Sequence, residues 1–225
     1  MVAAIGCGNY GDLTSAVIAR EMGLPFECIV AGQNGNNVFH RLLETNEYEI
    51  KAVQPAPSYA MVVAAPNNMP RLFDLYHGQM DGMHKVVRQP DFRGMRRDFR
   101  SAWFTEEMTY AAMKDAYNCC GAILDPHGGV AWGAMELCSR PVMKGPKVVY
   151  DTASPSKFPD EVMKAIGITP PVPEIFEREA VAHEVFYEIF APADRIKIDD
   201  EETPVASDAQ YGELKEILRQ LAKMR

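Results

Sequence analysis

Apolar residues fill the first five positions, Met1 to Ile5, before the pattern breaks into Gly6-Cys7-Gly8-Asn9-Tyr10-Gly11. A short apolar run bounded by glycines predicts a buried strand over residues 2–5. Leu13, Ala16, Val17 and Met22 then follow the 3.6-residue helical period. Asp12 is the expected N-cap, Gly23 the expected stop, and Pro25 blocks continuation. The apolar block FECIVAG predicts a second strand, so residues 2–31 read as a βαβ unit, which builds parallel sheets.

Further on, Asn36 or Asn37 caps a helix through Leu43, residues 46–60 read as irregular, and a helix is expected from about Asn68 to Tyr76. Residues 77–103 hold several glycines and no clean period, and read as a variable, mostly exposed connection. Thr105 caps a helix to Tyr117. ILDPHGGVAWGAMELC reads as strand end, turn and helix, and KVVYDTAS as a third clear strand. Ser156 or Asp160 opens a helix that ends at Gly167, and TPPVPE is a stiff linker by composition. Tyr211, Leu214, Ile217, Leu218 and Leu221 form one apolar stripe of a final helix. The predicted domains are therefore 1–169, an α/β domain, and 170–225, a mainly helical tail.

Three strands are few for a parallel sheet covered on both faces. The expected fold class is α/β, a three-layer αβα arrangement around a parallel sheet that this chain leaves incomplete. Another chain completes it, or the sequence is the later portion of something longer.

Composition narrows the chemistry. A net charge of −8 argues against a nucleic-acid binder with a broad basic surface, and the densest basic stretch, Arg93 to Arg100, reads as a solvated face. Five cysteines without C-x-x-C spacing predict reduced thiols and a cytoplasmic location. No apolar run approaches a membrane span, and five scattered histidines give a metal site little support. The opening G-x-G-x-x-G, between a strand and a helix, suits an anion held by main-chain amides. A dinucleotide fold would also place an acid at the tip of the second strand, where Ala31-Gly32-Gln33-Asn34 has none. A structural turn, a dinucleotide site and another phosphate site stay open on the turn alone.

The wider stretch GCGNYGDLTSAVIAREMGLP resembles the phosphate-loop segment of threonine synthase, an enzyme that uses pyridoxal 5′-phosphate (PLP). Four more stretches resemble that family in the same order: NNVFHRLLETNEYEIKAV, APSYAMVVAAPNNMPRLFDLY, GAILDPHGGVAWGAM and VVYDTASPSKFPDEVMKAIG. Together they span about residues 3–167, and residues 170–225 read as a divergent tail.

The resemblance implies that the backbone of Gly8, Asn9, Tyr10, Gly11 and Asp12 holds the PLP phosphate. Thr152 matches the threonine that faces the pyridine nitrogen, where a neutral partner suits elimination chemistry; read without the family, it is a strand-end turn residue. Cys7 stands where the family has serine and Gly6 where it has proline, which removes a hydroxyl donor. Val62 replaces an aspartate, and Ser154 a histidine. Asp125-Pro126-His127 matches the family's D-P-H, which implies a turn and helix start near the pocket wall, and Arg71 reads as a surface helix residue. The family's Schiff-base lysine lies in an F-K-D pattern ahead of the phosphate loop, and neither Lys114 nor Lys157 has that context. The resemblance thus implies the C-terminal half of an enzyme converting O-phosphohomoserine and water to threonine and phosphate. By this expectation the chain has no catalytic residue of its own and is inactive alone. Its partners would be the missing N-terminal half or a subunit, the small-molecule substrate, and a second copy through exposed apolar faces. A non-catalytic module that binds a phosphorylated ligand or a subunit is the alternative reading, and a nucleotide-binding domain a third.

Overall fold

The computed structural model describes residues 1–138, 145–174, 194–198, 201–205 and 207–223. They fall into two compact units, Met1–Val172 and Pro173–Arg225. The first unit is built on four parallel strands: β1 (Val2–Gly6), β2 (Cys28–Gln33), β5 (Phe99–Trp103) and β6 (Lys147–Tyr150), in the spatial order β5-β2-β1-β6. Ala4 pairs with Val30 on one side and Val149 on the other, which makes β1 a central strand.

The alternating faces of β1 and β2 serve two separate cores. Ile5, Ile29 and Ala31 pack with α1 (Gly11–Glu21), α2 (Val38–Thr45), α3 (Met69–Leu75) and α4 (Phe92–Asp98) through Leu13, Phe39, Leu42, Leu72, Phe73 and Met95. Val2, Ala4 and Val30 pack on the opposite face against Val130, Ala134 and Met135 of α6 (Pro126–Cys138). Behind α6 lies α5 (Glu106–Cys120), which in turn contacts α7 (Pro159–Ile166). Helices thus cover both faces of a parallel sheet, the three-layer αβα arrangement. Each buried Leu, Ile or Phe contributes roughly 1.5–3 kcal/mol against about 1 for a hydrogen bond, so packing dominates.

Residues 77–103 differ from the expected exposed connection. They hold a short antiparallel pair, β3 (Gln79–Met80) with β4 (Val86–Arg88), then α4 and the fourth main strand, β5. The charges hide this. Asp91 caps α4 by accepting from the Gly94 amide at 3.0 Å, and Arg96 donates to the Leu43 carbonyl at 2.8 Å. Met95 and Phe99 are then free to enter the core. Asp98 gathers Arg20 of α1 at 2.8 Å, Arg97 at 2.9 Å and the Tyr76 hydroxyl at 3.0 Å, tying α1, α3 and α4 together. Burial alone would raise the Asp98 pKa, but these hydrogen bonds outweigh it and hold the carboxyl below its ordinary range.

Three smaller expectations also change. Asp12 is not the N-cap: α1 starts at Gly11, with the cap at Tyr10, which turns into the helix from the left-handed region (φ 57°). Met22 lies past the end of α1 and is 81% exposed. No strand precedes α6; residues 121–125 are irregular.

In the second unit, β7 (Asp194–Ile198) pairs antiparallel with β8 (Glu201–Val205), followed by α8 (Asp208–Lys223). Tyr211, Leu214 and Leu218 of its apolar stripe are exposed, and the side chain of Leu221 lies outside the described residues. Among the described residues no helix is long and apolar enough to cross a membrane.

Candidate active site

The glycine turn leaves the C-terminal end of β1, where ligands of parallel α/β sheets bind. Two contacts force glycine into it. A Cβ on Gly6 would stand 2.8 Å from the His127 carbonyl oxygen, and one on Gly8 would stand 2.5 Å from Met61 Cα. Gly11 meets nothing closer than Asn68 Nδ2 at 3.5 Å.

Tyr10 fixes the turn from the protein side. Its buried ring packs on Phe39, and its hydroxyl donates to Gln33 Oε1 at 2.7 Å. Gln33 Oε1 also accepts the Phe39 and His40 amides at 3.1 and 3.2 Å, so the end of β2 and the start of α2 share one acceptor with the turn. Burial pushes the Tyr10 pKa well above its ordinary value, so the hydroxyl keeps its proton. On the outer side, Asn9 Oδ1 accepts the Asn67 amide at 2.5 Å, and Asn68 Nδ2 donates to the Asn9 carbonyl at 2.9 Å. Arg71 buttresses these partners, donating to the Asn67 carbonyl at 3.1 Å and to Asn68 Oδ1 at 3.2 Å.

Held this way, the amides of Gly8 to Asp12 donate to no main-chain carbonyl among the described residues. Those of Gly11 and Asp12 are first-turn donors of α1, without intrahelical acceptors and at its positive end. Cys7 does not add a donor: its thiol is buried and directed to the Ile5 carbonyl at 3.2 Å, and burial followed by the nearby Asp12 charge pushes its pKa up. Asp12 is exposed, so the turn carries one carboxylate beside its amides.

These residues line a cavity of about 240 Å³. Gly8, Asn9, Tyr10, Gly11, Asp12 and Thr152 all border it, with Thr152 brought there by the segment after β6, the strand beside β1. Met61, Asn68 and His127 also line it, with Ala60 beside Met61; the D-P-H resemblance puts His127 near the pocket wall, whereas no motif marks Met61 or Asn68. His127 rises from the first turn of α6, which Asp125 caps by accepting the Gly128 amide at 2.8 Å. Asp151, next to Thr152, is raised to about 6, first by partial burial and then by the Asp125 carboxylate. Lys114 and Lys157 are exposed and do not border the cavity. Val62 ends the one-turn helix Tyr59–Met61 that presses on Gly8, and Ser154 bonds to Ser156 at 2.8 Å.

No protein-family model matches the chain. Individual proteins do. It is 32% identical over 194 residues to threonine synthase of Pseudomonas aeruginosa, covering 78% of this chain and 41% of that protein. With Escherichia coli threonine synthase it shares 30% over 187 residues, covering 79% and 38%. Among solved structures, PLP-bound threonine synthase from Brucella melitensis superimposes with a TM-score of 0.71 at 26% identity, covering 78% of this chain and 40% of that one. The Escherichia coli enzyme gives 0.66 at 28%, over 80% and 38%. The chain thus spans about two-fifths of the length of these relatives. Sequence and three-layer fold agree, and the chain is homologous to threonine synthases over about four-fifths of its own length.

Proposed function

We propose that the cavity at the end of β1 holds PLP by its phosphate, and that the chain is the cradle-bearing portion of a threonine synthase-like enzyme. One observation carries this reading: the free amides of Gly8 to Asp12 and Thr152 border the same cavity. The donor set fits the group. Several convergent N–H donors at a helix start suit a phosphate dianion, and the absence of a Cβ at Gly8 lets the turn lie against Met61. The Asp12 carboxylate works against the anion and limits its affinity. That the Brucella melitensis relative is PLP-bound supports the assignment.

The coenzyme, when bound, supplies an electron sink for proton loss at the Cα of an amino acid. This chain's residues bind and orient. The turn fixes the phosphate end, and Thr152 offers a neutral hydroxyl that does not force a proton onto a ring nitrogen. The lysine that would hold the coenzyme covalently is assigned to a segment outside this chain, since no lysine borders the cavity among the described residues. The whole protein would convert O-phosphohomoserine and water to threonine and phosphate, and the 225 residues alone would not. Its partner is the remaining portion of the enzyme; exposed Val148 and Tyr150 on edge strand β6 provide apolar surface for association.

Equilibrium dialysis tests the cradle. Saturable binding of PLP, with little binding of pyridoxal lacking the phosphate, is expected; equal binding of both overturns it. Borohydride reduction followed by mass spectrometry tests the lysine assignment, and a coenzyme adduct at a single lysine of this chain refutes it.

A further inference from the structure

We propose that Arg71 is a positioning residue of the glycine turn: acting through Asn68, it fixes the plane of the Asn9–Tyr10 peptide and with it the direction of the Tyr10 amide. This role rests on the reading of the cavity as a PLP site and adds to that site a residue that does not border it. Arg71 lies three and four positions after Asn68 and Asn67, in the first turn of α3. Helical side chains lean toward the N-terminus, so its guanidinium is carried back over both asparagines. Two local preferences are set aside there. Asn68 occupies the N-cap, where its side chain would ordinarily accept an amide of the helix, yet it makes no capping bond. A cation near a helix N-terminus also opposes the helix dipole. The contacts that Asn68 and Arg71 make instead account for both departures.

Arg71 Nη1 donates to Asn68 Oδ1 at 3.2 Å, and Asn68 Nδ2 donates to the Asn9 carbonyl at 2.9 Å. A guanidinium only donates and a carbonyl only accepts, so one orientation of the carboxamide satisfies both neighbours. Flipped, it would set oxygen against oxygen and N–H against N–H. The same Nη1 donates to the Asn67 carbonyl at 3.1 Å, while the Asn67 amide donates to Asn9 Oδ1 at 2.5 Å. Arg71 thus holds both residues that grip Asn9, one at its carbonyl and one at its side chain. A peptide bond without proline is planar and trans, so its N–H points opposite to its C=O. Holding the Asn9 carbonyl therefore fixes the Tyr10 amide, one of the donors that no main-chain carbonyl engages among the described residues. Tyr10 is pinned through its ring and hydroxyl on the protein side, so the peptide is held at both ends.

The test combines ¹H–¹⁵N NMR of the labelled 225-residue chain with equilibrium dialysis of PLP, pyridoxal being the control. In Arg71→Met the Tyr10 amide resonance should move while those of Gly121 and Gly167 stay in place. PLP binding should weaken about fivefold, the effect of one hydrogen bond. Arg71→Lys, which keeps a donor, should recover part of that loss. Arg71 is exposed, so both variants should keep the thermal midpoint of the unmodified chain. Asn68→Ala separates positioning from charge: in that background Arg71→Met should cost less than about twofold in PLP affinity. An undiminished cost there assigns the effect to the charge and overturns the positioning role. Unchanged PLP affinity in Arg71→Met overturns the role of Arg71 and leaves the PLP reading standing. No saturable binding of PLP by the unmodified chain overturns both.

Discussion

The Tyr10 hydroxyl donates to Gln33 Oε1 at 2.7 Å, across 23 positions of sequence, and this bond joins the glycine turn to the neighbouring strand. Gln33 Oε1 serves three donors at once, while Tyr10 supplies both that hydrogen and the ring that packs on Phe39. Tyr10→Phe removes one hydroxyl but keeps the ring, and should cost about 1 kcal/mol in urea unfolding. Gln33→Leu leaves the Tyr10 hydroxyl and the His40 amide without their acceptor, while the Phe39 amide keeps the Tyr10 oxygen at 3.3 Å, and should cost about twice as much by the same measurement. Equal effects would contradict the shared-acceptor description.

Gly8 and Gly11 of the turn should respond differently to one methyl group. Gly8→Ala places a Cβ 2.5 Å from Met61 Cα, which only a backbone shift can relieve. Overpacking of this kind costs roughly 1–3 kcal/mol, and PLP affinity should fall at least tenfold as the amides move. Gly11→Ala meets ordinary contact distances, so thermal unfolding and PLP titration of that variant should stay close to those of the unmodified chain.

Asp151 gives the stability a pH dependence of known sign. Its carboxyl is raised to about 6 in the folded chain, above its unfolded value, so the native state prefers it protonated. The favourable contribution is therefore present below about pH 4 and is lost as pH rises through about 6. Asp151→Asn should be more stable than the unmodified chain near neutral pH, with the difference shrinking toward about pH 4. Urea midpoints measured across that window would show it; a constant difference would refute the assignment.

Asp98 has the opposite sign. Its carboxyl is held below the ordinary range by Arg97, Arg20 and Tyr76 against the opposing effect of burial. That stability is present above the unfolded carboxylate value and disappears as pH falls through the lower native one. Asp98→Ala strands the half-buried Arg20, and should cost roughly 3–5 kcal/mol at neutral pH in urea unfolding. Most of the penalty should vanish in Asp98→Ala combined with Arg20→Met, because no charge is then left unpaired.

What the sequence discloses depends on whether a residue acts through its neighbours in the chain or through distant ones. β1, β2 and β6 are continuous apolar runs and can be read directly. So can α5, where Thr105 accepts the Met108 amide, and α7, which closes at Gly167 with φ 72°. α4 and β5 are different. RGMRRDFR looks like a solvated run because its charges find Leu43, Asn46, Arg20 and Tyr76, all remote in sequence. Tyr10 shows the same blindness at one residue. A bulky side chain with positive φ is an unusual helix cap, and its reason, Gln33, sits on another strand. In the site, the glycines carry their own local signal and Thr152 is marked by its surrounding motif. The hold of Asn67 and Asn68 on Asn9 joins distant parts of the chain, and no spacing of residues encodes it.

Because Tyr10 is anchored from behind by β2 and α2, the turn has its shape before any anion arrives. A ligand entering such a preformed seat has little chain to immobilise, so the entropic penalty of ordering falls on the ligand and not on the protein. Capture should then proceed at the pace of encounter, with no slow refolding phase ahead of it.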